Sequence, residues 1–303
     1  MERRDRIDPA GAAMLIGFAV LFGLNQVAIK VVGGGIQPVF AAALRSAGAV
    51  LCVAAWMRLR GLSLRPEPGT VPAGLLIGAL FAVEFLALFI ALDLTGVVRA
   101  SVLFYSMPVW LAIAAHYVLP GERMHRAKAA GLALASAGVV VALADRGGAG
   151  EGSLAGDLLA VVAAMGWAGL ALVARASALA RVRPEKQLLW QVVVSTPLLL
   201  ALAPAFGPLL RDPTPLHWAS LGFQTVVVVS GGFILWLWLL ARYPASGVAS
   251  FSFLTPVVGV ALGWALLGEP VGPGVIVSAA LVAAGIVLVN RPVGGGGGLA
   301  RVD

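Results

Sequence analysis

Ser101–Glu122 reads SVLFYSMPVWLAIAAHYVLPGE, and Ala249–Glu269 reads ASFSFLTPVVGVALGWALLGE. Each stretch places aromatic and small polar residues before a proline (Pro108, Pro256), then an apolar run, then a Gly-Glu pair (Gly121-Glu122, Gly268-Glu269). The prolines match at an offset of 148 and the glutamates at 147, so one residue is gained or lost between them. A repeat unit approaching half of a 303-residue chain predicts a duplicated architecture. Gly138 against Gly285, also at 147, carries the repeat to the last apolar run of each half, and Lys30 against Arg175, at 145, extends it weakly to the first.

Composition says where such a chain can live. The residues are 60% hydrophobic and 12% charged, with a mean hydropathy of +0.97. A soluble domain carries about 25% charged residues, so this chain lacks the polar surface to meet water and reads as an integral membrane protein. Its net charge of +7 falls between apolar runs, as membrane topology requires, which argues against a nucleic-acid partner. Cys52 is the single cysteine and excludes both an intramolecular disulfide and a thiolate metal cluster.

A spanning helix needs about 20 mostly apolar residues. Ten segments meet this or nearly so: 12–32, 38–57, 71–92, 97–118, 127–144, 154–175, 187–206, 216–240, 246–267 and 272–290. The first is too long for a signal peptide, carries Asn25 and Gln26, and has no evident cleavage site. The fifth is short, and its Gly131, Ala135 and Gly138 offer a small-residue face to a neighbouring helix. With ten spans and an inside N-terminus, sixteen of the 21 Lys and Arg residues fall on the inside, four at or near the outside, among them Lys30, Arg99 and Arg211, and Arg45 within a span. Both termini are therefore predicted to be cytoplasmic.

The connection Asp145–Asp157 (DRGGAGEGSLAGD) is Gly-rich, acidic and outside, and divides two sets of five helices. Five is odd, so the second set enters the membrane from the opposite side. The expected fold is thus all-α, with ten transmembrane helices as two inverted five-helix repeats around a central cavity. The halves are 1–146 and 147–293, and 294–303, with its pentaglycine run, is a flexible tail.

Ionisable groups inside a membrane are costly and each is a functional candidate. Glu84 in the third helix and Arg45 in the second lie at similar depths, some seven or eight residues from their outer ends. Either they form a structural ion pair, or one or both face the cavity and meet a substrate ammonium or carboxylate. Pro108 and Pro256 each remove a backbone donor and free carbonyls one turn back. Such a break is either a static kink or a hinge that lines the cavity. At the same depth stand Phe22, Asn25 and Gln26 on the first helix, Tyr105 on the fourth, Trp167 on the sixth, Trp236 on the eighth, and Phe253 and Thr255 on the ninth. Phe253 and Thr255 correspond to Tyr105 and Met107. Trp110, Trp218 and Trp264 fit better at interfaces or against lipid. Signals for an enzyme are thin: His116, His125 and His217 have no metal-ligand spacing, and the Gly-rich stretches do not join a strand to a helix. No metal, cofactor or catalytic residue is assigned.

The repeated stretch, with P-V-x-x-A-x-x-A in its first copy (Pro108–Ala115), then G-E, then a Gly-rich helix ending AGVVV (Ala137–Val141) or AGIVL (Ala284–Leu288), resembles the EamA-type repeat of the drug/metabolite transporter superfamily. Arg45 within the second helix fits the same pattern, and the resemblance covers most of both halves. Within the superfamily the chain looks most like the YddG-type exporters of aromatic amino acids. That likeness rests on Phe22 to Lys30, Glu84 in AVEF, Tyr105 three residues before Pro108, Trp167 in GWA, and Trp236 twenty residues before Pro256. Phe22 stands where a tryptophan is expected, and Val83 and Met107 where aromatics are. The resemblance implies a bacterial inner-membrane secondary transporter, monomer or homodimer, with membrane lipid around it. It would export amino acids, aromatic or other neutral ones, and related metabolites by alternating access. Drugs or nucleotide-linked sugars are the alternative cargo.

Overall fold

The computed structural model describes residues 8–119, 124, 126–144, 152–232, 235, 239, 243 and 254–289. Apart from an isolated antiparallel bridge between Ile36 and Leu210, the ordered elements among them are helices. They run α1 (Pro9–Gly33), α2 (Pro38–Leu59), α3 (Val71–Leu94), α4 (Val97–Phe104), α5 (Met107–Val118), α6 (Arg126–Ala144), α7 (Leu154–Ala176), α8 (Pro184–Leu202), α9 (Pro215–Gly222), α10 (Leu254–Leu267) and α11 (Pro273–Val289). A π-helix (Phe223–Gly232) continues α9. Among the described residues seven spans are long and apolar enough to cross a membrane, and α4 with α5 makes one of them, Val97–Val118. The described helices fall within a few residues of the ten expected segments, and parts of the eighth and ninth lie outside the described residues.

The helices are apolar all round, as lipid requires. Leu51, Val140, Trp264 and Ile276 are exposed on the outer faces, where hydrocarbon takes the place of water. Between helices the contacts are made by small residues. A Cβ on Gly131 of α6 would come within 2.8 Å of the Gly285 carbonyl oxygen and 2.7 Å of Leu288 Cβ on α11. One on Gly138 would come within 2.8 Å of the Ser278 carbonyl oxygen. The 147-residue offset exchanges 131 with 278 and 138 with 285, so these are one contact seen from each repeat. The other pairings obey the same exchange: α3 lies along α7 as α1 lies along α9, and α2 against α8 is its own counterpart. The two repeats are thus inverted and related by a pseudo-two-fold axis.

The Gly-Glu pair of the second repeat has a structural reason. Gly268, at φ 65°, ends α10 in the left-handed region that favours glycine. The chain then turns so that the Glu269 carboxylate accepts from the backbone N–H groups of Val97 and Val98, both at 2.8 Å. A carboxylate there satisfies two orphan donors of α4 and meets the positive end of its dipole. A side chain at Gly96 would collide with that carboxylate, its Cβ falling 2.7 Å from Oε2. Glu122, the counterpart, lies outside the described residues.

Let the near end of the bundle be the one holding Pro9, and the far end the one holding Gly33 and Val97. At the far end Arg99 and Asp157 form a buried pair. The Arg99 Nη2 donates to Asp157 Oδ2 at 2.6 Å and to the Ala142 carbonyl at 2.7 Å, and the Thr95 hydroxyl donates to Asp157 Oδ1 at 2.9 Å. Arg99, expected among the outer-side charges, is 3% exposed, and Asp157, grouped with the acidic connection, is fully buried in the first turn of α7. Partnering, more than position in a loop, decides where these charges sit. At the near end the Tyr243 hydroxyl donates to Asp8 Oδ1 at 2.7 Å. Tyr243 is the 148-offset counterpart of Thr95, so each repeat ties the start of the other's first helix with a hydroxyl.

Candidate functional site

A cavity of about 510 Å³ lies between the repeats. It takes Leu15, Phe18, Phe22 and Asn25 from α1, Arg45 from α2, and Phe81, Glu84, Phe85 and Leu88 from α3. Tyr105 and Pro108 line it at the break in the fourth span, as do Trp167 and Ala174 on α7, Leu188 on α8 and Thr255 on α10. Leu15, Ala174 and Leu188 belong to its near-end side, and Asn25, Arg45 and Leu88 mark its deepest part. Beyond them Ile29, Val32, Leu92 and Leu103 are packed and essentially inaccessible. Among the described residues the cavity is therefore closed toward the far end.

Pro108 lies in the first turn of α5, and the break lies just before that helix, at Tyr105 and Ser106. Proline cannot donate to the carbonyl one turn back, and the chain compensates locally. The Ser106 hydroxyl donates to the Leu103 carbonyl at 2.6 Å and accepts from the Trp110 indole N–H at 3.1 Å. The break turns Tyr105 inward, where its hydroxyl donates to the Phe22 carbonyl at 3.2 Å. Phe104 stacks on Trp167 with centroids 5.1 Å apart, and Tyr105 meets the same indole edge-on at 6.1 Å. Phe22 and Trp167 are themselves 145 residues apart, the offset of Lys30 and Arg175. One aromatic from each first helix thus faces the same space.

Arg45 and Glu84 also line this space, but among the described residues no salt bridge joins them. The Arg45 guanidinium is stacked on aromatic rings: its carbon lies 3.6 Å from the centroid of Phe85 and 5.2 Å from that of Phe89. A planar, weakly hydrated guanidinium accepts an aromatic face readily. Arg45 Nε and Nη2, Glu84 Oε2 and Asn25 Oδ1 are buried without a hydrogen-bond partner among the described residues. Buried polar atoms are ordinarily paired, so these four point to a ligand.

Of the residues singled out by sequence, Phe22, Asn25, Arg45, Glu84, Tyr105, Pro108 and Trp167 come together here. Gln26 is buried on the neighbouring face of α1 and does not line the cavity. Pro256 sits in the first turn of the described part of α10. Trp236 and Phe253 lie outside the described residues. Sequence reasoning missed Phe18, Phe81, Phe85 and Phe104. The first three stand three or four residues from Phe22, Glu84 or each other, and that helical spacing is the signal that finds them. Trp218 and Trp264 are exposed, as expected of lipid-facing or interfacial rings.

The sequence model of the EamA-like transporter family matches this chain twice, over residues 9–144 and 154–291. A probable amino-acid metabolite efflux pump of Escherichia coli (strain K12) is 29% identical over 307 residues, covering 95% of each chain. A probable terminal-alkyne amino-acid exporter of Streptantibioticus cattleyicolor is 29% identical over 192 residues, 63% of each. A crystal structure of a protein superposes with a TM-score of 0.65 at 25% identity, covering 91% of this chain and 96% of the other.

Proposed function

The chain belongs to the EamA-like transporter family, and on that premise we propose that it exports amino acids and related metabolites across the bacterial inner membrane by alternating access. The observation that carries this reading is the cavity, closed toward the far end among the described residues. It is large enough for an amino acid, lined by aromatic rings, and holds charged groups with unclaimed hydrogen-bonding atoms at its closed end. The distribution of Lys and Arg supports a cytoplasmic near end, the side from which an exporter loads. Relatives named as an amino-acid efflux pump and an amino-acid exporter support the cargo class.

In this reading the cargo side chain packs among Phe22, Tyr105 and Trp167. Its polar head reaches Glu84, Arg45 and Asn25, with Gln26 close by on the same helix. The halves 1–146 and 147–293 then move about the spans broken at Pro108 and carrying Pro256, closing the near end and opening the far one.

Purified protein in liposomes tests this by counterflow. Labelled neutral amino acids accumulate against an unlabelled internal pool, and empty vesicles show none. No flux across a broad amino-acid panel, together with exchange of a drug or a nucleotide-linked sugar, overturns the proposal. Repeating the assay with and without a pH gradient separates a proton-coupled exporter from a facilitator.

A further inference from the structure

Two opposite charges share the closed end of the cavity without touching, and the geometry gives the reason. Arg45 lies with its guanidinium 3.6 Å above Phe85, the residue next to Glu84 on α3. Successive helical residues diverge by about 100°, so stacking on Phe85 draws the guanidinium away from the direction of the carboxylate. Glu84 in turn is backed by α7, where a Cβ on Gly166 would fall 3.1 Å from Glu84 Cβ. Each charge is thus anchored from behind, and its free hydrogen-bonding atoms remain unclaimed among the described residues: Arg45 Nε and Nη2, Glu84 Oε2, and beside them Asn25 Oδ1.

We propose that Arg45, Glu84 and Asn25 form an open clamp for the zwitterionic head of a free α-amino acid, and that Phe85 is the positioning residue that holds the clamp open. This deepens the amino-acid export reading and rests on it. An α-carboxylate and an α-ammonium are attached to one carbon, so one small ligand supplies an anion to Arg45 and donors to Glu84 and Asn25 at once. A guanidinium binds a carboxylate through two parallel N–H groups. An amine without the carboxylate leaves Arg45 unpaired in a low-dielectric site, and an N-acylated acid leaves Glu84 without a cationic partner; either loss costs more than the missing bond alone. The clamp reads the head group, and the aromatic wall reads the side chain.

The test uses the full chain in liposomes, with counterflow of labelled L-phenylalanine and L-leucine. The competitors are the unlabelled amino acids, the matching amines (phenethylamine, isoamylamine) and the N-acetyl acids. The amino acids inhibit, and each charge-deleted analogue needs at least about tenfold higher concentration. If both amino acids exchange while the amine or the N-acetyl acid inhibits equally well, the clamp is overturned and the export reading stands. If no amino acid exchanges at all, the export reading falls and takes the clamp with it. Phe85→Leu then reads positioning. The ratio of amine to amino-acid inhibition moves toward one, and Phe85→Tyr restores it. A Phe85→Leu protein that keeps the wild-type ratio overturns the positioning role, and the analogue series on the unmodified chain stands whether or not that variant folds.

Discussion

At the residue scale, most of the cavity's character comes from rings whose positions a helix dictates. Trp167 touches both Phe104 and Tyr105, so Trp167→Ala removes a wall and loosens two neighbours. Counterflow of a neutral amino acid is expected to fall at least about fivefold with protein yield retained, since even one methylene lost from a binding pocket costs about 1–3 kcal/mol. The Tyr105 hydroxyl has a smaller task. Tyr105→Phe forfeits one hydrogen bond to the Phe22 carbonyl and is expected to lower stability by about 1 kcal/mol, read as a shift in thermal unfolding in detergent. Phe104 was not legible from sequence as a wall residue, because an apolar ring in an apolar helix looks the same toward lipid, a neighbour or a cavity.

At the scale of elements, two features of the repeated stretch take on structural roles. The Gly-Glu pair reads as punctuation between helices, and in the second repeat it is the cap that anchors α4. Glu269→Gln keeps the shape but weakens a charge-assisted pair of bonds to a helix N-terminus. A loss of about 1 kcal/mol is expected, seen as earlier thermal unfolding, with Glu269→Ala losing more. The small-residue face of α6 finds its partner in α11, its own repeat counterpart. Gly285→Val would press a branched side chain against Ala135 Cβ and the Gly131 carbonyl, which a Cβ there would already approach to 2.5 and 2.6 Å. Overpacking of this kind costs about 1–3 kcal/mol, and unfolding in detergent measures it. Gly17, whose added Cβ meets nothing within 4 Å, is the control: Gly17→Ala should leave the midpoint unchanged or slightly raised.

At the scale of the whole molecule, the Arg99–Asp157 pair joins three helix ends at the closed side of the bundle: α4, α6 and α7. Asp157→Ala strands a buried guanidinium and is expected to destabilise by about 3–5 kcal/mol, enough to lose most of the folded protein. The double variant Arg99→Met with Asp157→Leu should recover much of that, because the charge that needed a partner is gone. A single variant as stable as the double one would contradict the arrangement. Topology is tested separately. Reporters fused to both ends of the chain are expected to be active only in the cytoplasm.

The sequence by itself determined the duplication, the membrane class, the ten apolar segments and the inversion, because hydrophobic length, Lys and Arg placement and repeat parity are one-dimensional quantities. It also singled out Glu84, Arg45, Tyr105, Trp167 and Pro108, since a polar group, a paired ring or a proline in an apolar helix is conspicuous in a string. Only the tertiary structure decided what those groups face. Arg45 stacks on Phe85 with no salt bridge to Glu84 among the described residues, Asp157 is buried with Arg99 instead of lying in the acidic connection, and Gln26 is buried outside the lining of the cavity. Each depends on the rotation of one helix against another, and that angle is set by small-residue packing such as Gly131 against Gly285 and Gly166 against Glu84, which no periodicity encodes.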